Sequence, residues 1–65
     1  MKEYYDVVYI VWLHDEQCHG MIEKLGAYAS MVTFTIDGKE NTELIENENF
    51  TIVDEIVHQH VEESN

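Results

Sequence analysis

Proline and arginine are absent from this chain of 65 residues, and cysteine occurs once, at Cys18. A single thiol excludes an intramolecular disulfide, so a small core has no covalent staple. A chain this short buries only about 60% of its unfolded surface, and such domains make up the deficit by self-association, a metal or tight packing. One thiol and four histidines suit a reducing, cytoplasmic setting. The longest apolar run, Val7–Leu13, is far below the ~20 residues that span a bilayer. Glu3 and Asp6 precede it where a secretory leader would be basic. The expectation is a cytoplasmic protein with no membrane contact.

Basic residues are equally scarce. Lys2, Lys24 and Lys39 face 14 acids, for a formal charge of −11. Phosphate binding rests on Lys and Arg, so direct binding to nucleic acid or anionic lipid is excluded. Basic surfaces are the expected partners, met fast and with strong salt dependence. From Glu40 to the C-terminus there are eight acids and no Lys or Arg, which places −8 of the charge in that stretch. Solubility of a small domain needs a net charge of only about 2–8. This chain exceeds that range and segregates sign, at a cost in self-repulsion. An apolar content of 45%, with Trp12 and four tyrosines, argues against disorder.

Tyr4–Leu13 (YYDVVYIVWL) reads as a strand that is apolar on both faces, which predicts cover on both sides by helices or by a partner. In Asp15–Ala29, Asp15 can cap a short helix ending near Gly26, with Cys18, Met21, Ile22 and Leu25 at helical spacing. The rival reading makes His14–Gly20 a loop followed by a strand antiparallel to the first. Ala27–Ile36 ends in clean alternation, with Val32, Phe34 and Ile36 on one face. Asp37-Gly38 signals a hairpin. A two-residue loop sets Val32 opposite Glu43, whereas a three-residue loop sets it opposite Leu44, and burial favours the longer loop. The third strand is then Glu40–Glu46, an acidic edge. Thr51 and Asp54 resemble a capping box for a helix to about Glu62, with Phe50, Val53, Ile56, Val57 and Val61 as its buried stripe. Glu62 and Glu63, near its last turn, read as solvated. The predicted architecture is α+β, a single small domain of order β-α-β-β-α with the C-terminal helix packed on a three-stranded sheet.

No catalytic signature is present, and the expectation is a protein that is not an enzyme and uses no cofactor. His14, Cys18 and His58 are the candidates for a zinc site, but their spacing matches no standard motif, and surface histidines with Cys18 as a small buried hydrophobe are the favoured reading. A cysteine–histidine nucleophile is disfavoured because nearby acids raise a thiol pKa. Glu46 and Glu48 on an extended segment would stand about 6.6 Å apart, near the spacing of successive phosphates.

The run Val32–Val57 (VTFTIDGKENTELIENENFTIVDEIV) resembles the acidic hairpin-then-helix portion of small phage-encoded anti-CRISPR proteins directed at type II-A effectors. The shared features are a β-branched strand, a DG turn, an acidic strand, an E-N-E loop and an apolar helix opening Ile-Val-acid. In that group the acidic surface occupies the cleft where nuclease arginines read DNA. The resemblance implies Asp37, Glu40, Glu43, Glu46 and Glu48 as partner-binding residues. Other phage mimics of nucleic acid, such as inhibitors of uracil-DNA glycosylase or restriction enzymes, fit the charge equally well. The expected function is a non-catalytic inhibitor or regulator that binds the basic, nucleic-acid-binding surface of a host protein, with Tyr4, Tyr5 or Tyr28 as aromatic anchors. The second reading is a small homo-oligomeric structural module or accessory subunit, held together through an exposed face of Tyr5, Tyr9 and Leu13.

Overall fold

The structure is a computed structural model that describes residues 2–62, with side chains for residues 3–61. Five strands follow one another: β1 (Lys2–Leu13), β2 (Cys18–Ile22), β3 (Ala29–Ile36), β4 (Lys39–Glu46) and β5 (Phe50–Glu62). A single 3₁₀ turn, Asn47–Asn49, joins β4 to β5. All five lie in one antiparallel sheet of order β4-β3-β2-β1-β5. The fold is therefore all-β, and the predicted α+β architecture is corrected: no α-helix occurs among the described residues.

Both predicted helices give way for identifiable reasons. The C-terminal one is β5, where Thr51, Ile52, Val53, Ile56, Val57 and Val61 are β-branched and favour the pleat. Twelve residues of β1 pair along it. A bulge at Val53, between the pairs Ile10↔Asp54 and Val11↔Ile52, shifts the alternation by one residue. That shift gives the apolar positions of a strand the look of a helical repeat. In Asp15–Ala29 the rival topology holds, a strand antiparallel to the first, but the strand starts at Cys18, inside the predicted His14–Gly20 loop. Residues 14–17 form a turn with Gln17 at φ 53°, and Cys18–Ile22 pairs back on β1. Glu63 lies outside the described residues.

The β3–β4 hairpin takes the shorter register, with Ile36↔Lys39, Phe34↔Asn41 and Val32↔Glu43. The preference for the longer loop is thus overturned. Asp37 and Gly38 both have positive φ, 52° and 76°, the pattern of a type I′ turn whose twist matches its strands. Turn geometry wins over burial because β4 is an edge strand. Of its side chains only Ile45 packs against the core, while Leu44 points outward and is 67% exposed.

The core lies on one face of the sheet: Val11, Leu13, Ile22, Val32, Phe34 and Phe50 are buried, flanked by Tyr9, Cys18, Ile36 and Ile45. The sheet must curl around it. In a flat sheet four strand spacings, about 19 Å, would separate β4 from β5. Glu46 and Phe50 are four residues apart and can span at most about 14 Å. The curl is clasped at that end by hydrogen bonds. Ser30, 2% exposed, donates from Oγ to Asn47 Oδ1 at 2.8 Å and accepts from the Gly26 N–H at 3.0 Å. Asn47 Nδ2 donates to the Gly26 carbonyl at 2.8 Å, and the Asn47 N–H to the Tyr28 carbonyl at 2.8 Å. His14 N–H donates to the Asn49 carbonyl at 3.0 Å. At Gly26 no side chain fits, since a Cβ would stand 1.9 Å from the Ala29 carbonyl oxygen.

At its other end the molecule opens into an arm. The last β1–β2 pair is Tyr9↔Ile22, while β1 and β5 remain paired as far as Lys2↔Glu62. Lys2–Val8 with Ile56–Glu62 thus form a two-stranded ribbon. It stretches the molecule to 48 × 27 × 18 Å, and the radius of gyration is 14.2 Å. A compact chain of this length would have about 11 Å. Among the described residues no element packs on the second face of β1, so the predicted two-sided cover is not found there, and Tyr4 and Tyr5 are exposed. Leu13 is buried and Tyr9 half-buried, so the expected exposed face of Tyr5, Tyr9 and Leu13 does not exist as such.

Candidate functional site

The five acids implied by the resemblance are all exposed along the β4 edge and its two ends. Asp37 sits in the type I′ turn. Glu40 and Glu46 point to the outer face, opposite Thr35 and Ala29. Glu43 points to the core face, opposite Val32, yet stays solvated at the open lip of the sheet. Glu48 lies in the 3₁₀ turn. The expected phosphate-like spacing of Glu46 and Glu48 is corrected, because a 3₁₀ turn rises only about 2 Å per residue and no extended track joins them.

The curl instead brings together residues distant in sequence. Asp15 and Glu16 of the β1–β2 turn line a hollow of about 280 Å³ together with Glu43 and Glu46 of β4, and Leu44 and Asn49 are also on its wall. Asp15 and Glu16 were assigned no such role from sequence. They reach the site because β4 crosses in three residues to the opposite edge of the sheet. Tyr28, 88% exposed, stands beside Glu46 and Glu48 around a second hollow on the same end of the molecule. Asp37 and Glu40, at the far end of β4, do not join this cluster. Nor do Tyr4 and Tyr5, which lie on the arm.

Among the described residues no lysine lies within ion-pair distance of these carboxylates. Among the described residues, the one carboxylate bonded to a basic side chain is Asp6, 2.8 Å from His60 Nε2 on the arm. The three zinc candidates are held apart: His14 Nε2 shares a 2.7 Å hydrogen bond with Thr51 Oγ1, Cys18 packs beside the core, and His58 lies on the arm opposite Asp6. Among the described residues no three His, Cys, Asp or Glu side chains are grouped so as to hold a metal. A third surface is apolar: Met21, Leu25, Met31 and Leu44 line an open groove of about 590 Å³ on the outer face, bordered by Glu23 and Glu40. The sequence does not mark this groove, since Met21 and Leu25 fall at the spacing of one face of a helix.

No family model, curated protein or solved structure matches this chain. No helix among the described residues is long and apolar enough to cross a membrane.

Proposed function

We propose that the protein is a non-catalytic inhibitor or regulator that covers the basic, nucleic-acid-binding surface of another protein. The observation that carries this reading is the convergence of Asp15, Glu16, Glu43 and Glu46 on one hollow with no lysine among them. Glu48 and Tyr28 extend that surface. Four acids around one hollow, with no lysine on its wall, make a negative surface that gains when a cationic surface arrives. Tyr28 adds a rigid aromatic of the kind that anchors interfaces.

The competition is with the anionic field of a nucleic acid more than with its phosphate spacing, because the acids are split between two faces of β4. The hairpin and E-N-E loop of the anti-CRISPR resemblance carry over to this reading, but its helix does not. A nuclease cleft lined by arginine is the target that the resemblance suggests, met in the host cytoplasm.

The test is capture of partners from a host lysate at low salt, followed by elution with DNA, RNA or NaCl. Elution by nucleic acid at concentrations too low to alter ionic strength is expected. Replacing Asp15, Glu16, Glu43 and Glu46 by their amides should abolish capture while leaving the fold intact. Undiminished capture by that variant sinks the reading.

A further inference from the structure

The two edges of the sheet are defended very differently. The β4 edge carries Lys39, Glu40, Glu43 and Glu46 along eight residues, a density of charge that discourages a further strand. The β5 edge is longer, at 13 residues, and after the bulge at Val53 it runs without interruption. Its segment Ile56–Val61 (IVHQHV) contains no Asp, Glu, Lys or Arg and no proline. Among the described residues no strand pairs with its outer side. Ile56, Val57 and Val61 are all exposed, Val57 by 57%. The two-stranded arm that carries this segment has the form that is only marginally stable alone in water, and three or more strands are the usual remedy.

We propose that β5 pairs antiparallel with β5 of a second copy of this chain, about a two-fold axis through Val57. Self-pairing is favoured by the charge pattern of the strand. Centred on Val57, the register sets Asp54 opposite His60, Glu55 opposite Gln59 and Val53 opposite Val61. No acid in these pairs meets an acid. A register centred on Asp54 or Glu55 would oppose that carboxylate with its own copy, and one centred on Ile56 would set Glu55 against Val57. Because Val7 already faces Val57 across the arm, the pairing lays four valines in a row over four strands. His60, bonded to Asp6 and stacked on Tyr4 at a centroid distance of 4.9 Å, would receive Asp54 of the second copy. The axis lies on the arm, so the acidic end stays free in each copy.

Sedimentation equilibrium across protein and salt concentration tests this. A monomer–dimer equilibrium is expected, tightening as salt screens the doubled negative charge. Gln59→Glu places two like-charged pairs in each dimer and should raise the dimer Kd by roughly tenfold. Adding Glu55→Lys to it makes the pair complementary again and should restore association. Glu40→Gln, on the other edge, should leave the Kd unchanged. Gln59 is solvent-exposed in the single chain, and far-UV circular dichroism of dilute samples checks that each variant stays folded. A chain that is monomeric throughout overturns the proposal. So does a dimer indifferent to Gln59→Glu, or a double variant no tighter than the single one, since either places the contact elsewhere.

Discussion

Glu43 occupies a position that stability alone would give to another residue. It faces Val32 across the β3–β4 pair on the core side of the sheet, where a β-branched residue would make the more favourable cross-strand pair. Glu43→Val is therefore expected to stabilise the fold by roughly 0.2–1 kcal/mol, read as a higher urea midpoint at unchanged slope. The same change should weaken partner capture, and a variant that gains stability and keeps its partner would show that Glu43 has no part in binding. Ser30 makes the opposite case. Its buried hydroxyl links Gly26 to Asn47, and Ser30→Ala leaves Asn47 Oδ1 without its donor and the Gly26 N–H without its acceptor. The expected loss is about 1–3 kcal/mol of unfolding free energy. Because this clasp holds the 3₁₀ turn in place, Ser30→Ala should also loosen the hollow between Glu43 and Asp15.

The strands divide into a body and an arm with different local stabilities. Backbone amides of Val11, Leu13, Ile22 and Val32 sit at the buried core and should exchange with solvent only on global unfolding. Those of Tyr4–Val8 and Ile56–Val61 should exchange faster in dilute protein, and β5 should gain protection as concentration rises. Hydrogen-exchange mass spectrometry measures both, and equal protection of arm and body at every concentration would contradict the two-part description. What the sequence discloses follows the same division. β1, β3, the DG turn and the acidic β4 edge are legible because alternation and turn chemistry are local. β5 was misread because the bulge at Val53 offsets its alternation, leaving Phe50, Val53, Ile56, Val57 and Val61 at helical intervals. β2 is short and interrupted by Gly20, so its pairing with β1 stands in the sequence only as the rival to a helix with Cys18, Met21, Ile22 and Leu25 at helical spacing. The hollow was invisible for a third reason. Asp15 and Glu43 are neighbours only because a three-residue connection forces the sheet to curl, and no periodicity records that.

At the scale of the molecule, charge acts in three directions that one variable separates. A net charge of −11 on a small, uncompensated surface opposes the folded state itself. Raising the salt from low to moderate shortens the Debye length from about 30 Å at 0.01 M to about 8 Å at 0.15 M, so carboxylates farther apart than the shorter length are largely screened from one another. The melting temperature of the free protein should rise over that range. Pairing of β5 should strengthen as well, because the dimer doubles the charge while no acid in its contact is set opposite another. Binding to a basic partner should weaken, because attraction between opposite charges is screened by the same ions. A calorimetric and sedimentation series in NaCl, with and without a captured partner, therefore yields three slopes. The first two share a sign and the third opposes them. Were partner affinity insensitive to salt while the free protein gained stability, recognition would have to run through the apolar groove of Met21, Met31 and Leu44, not the acidic hollow.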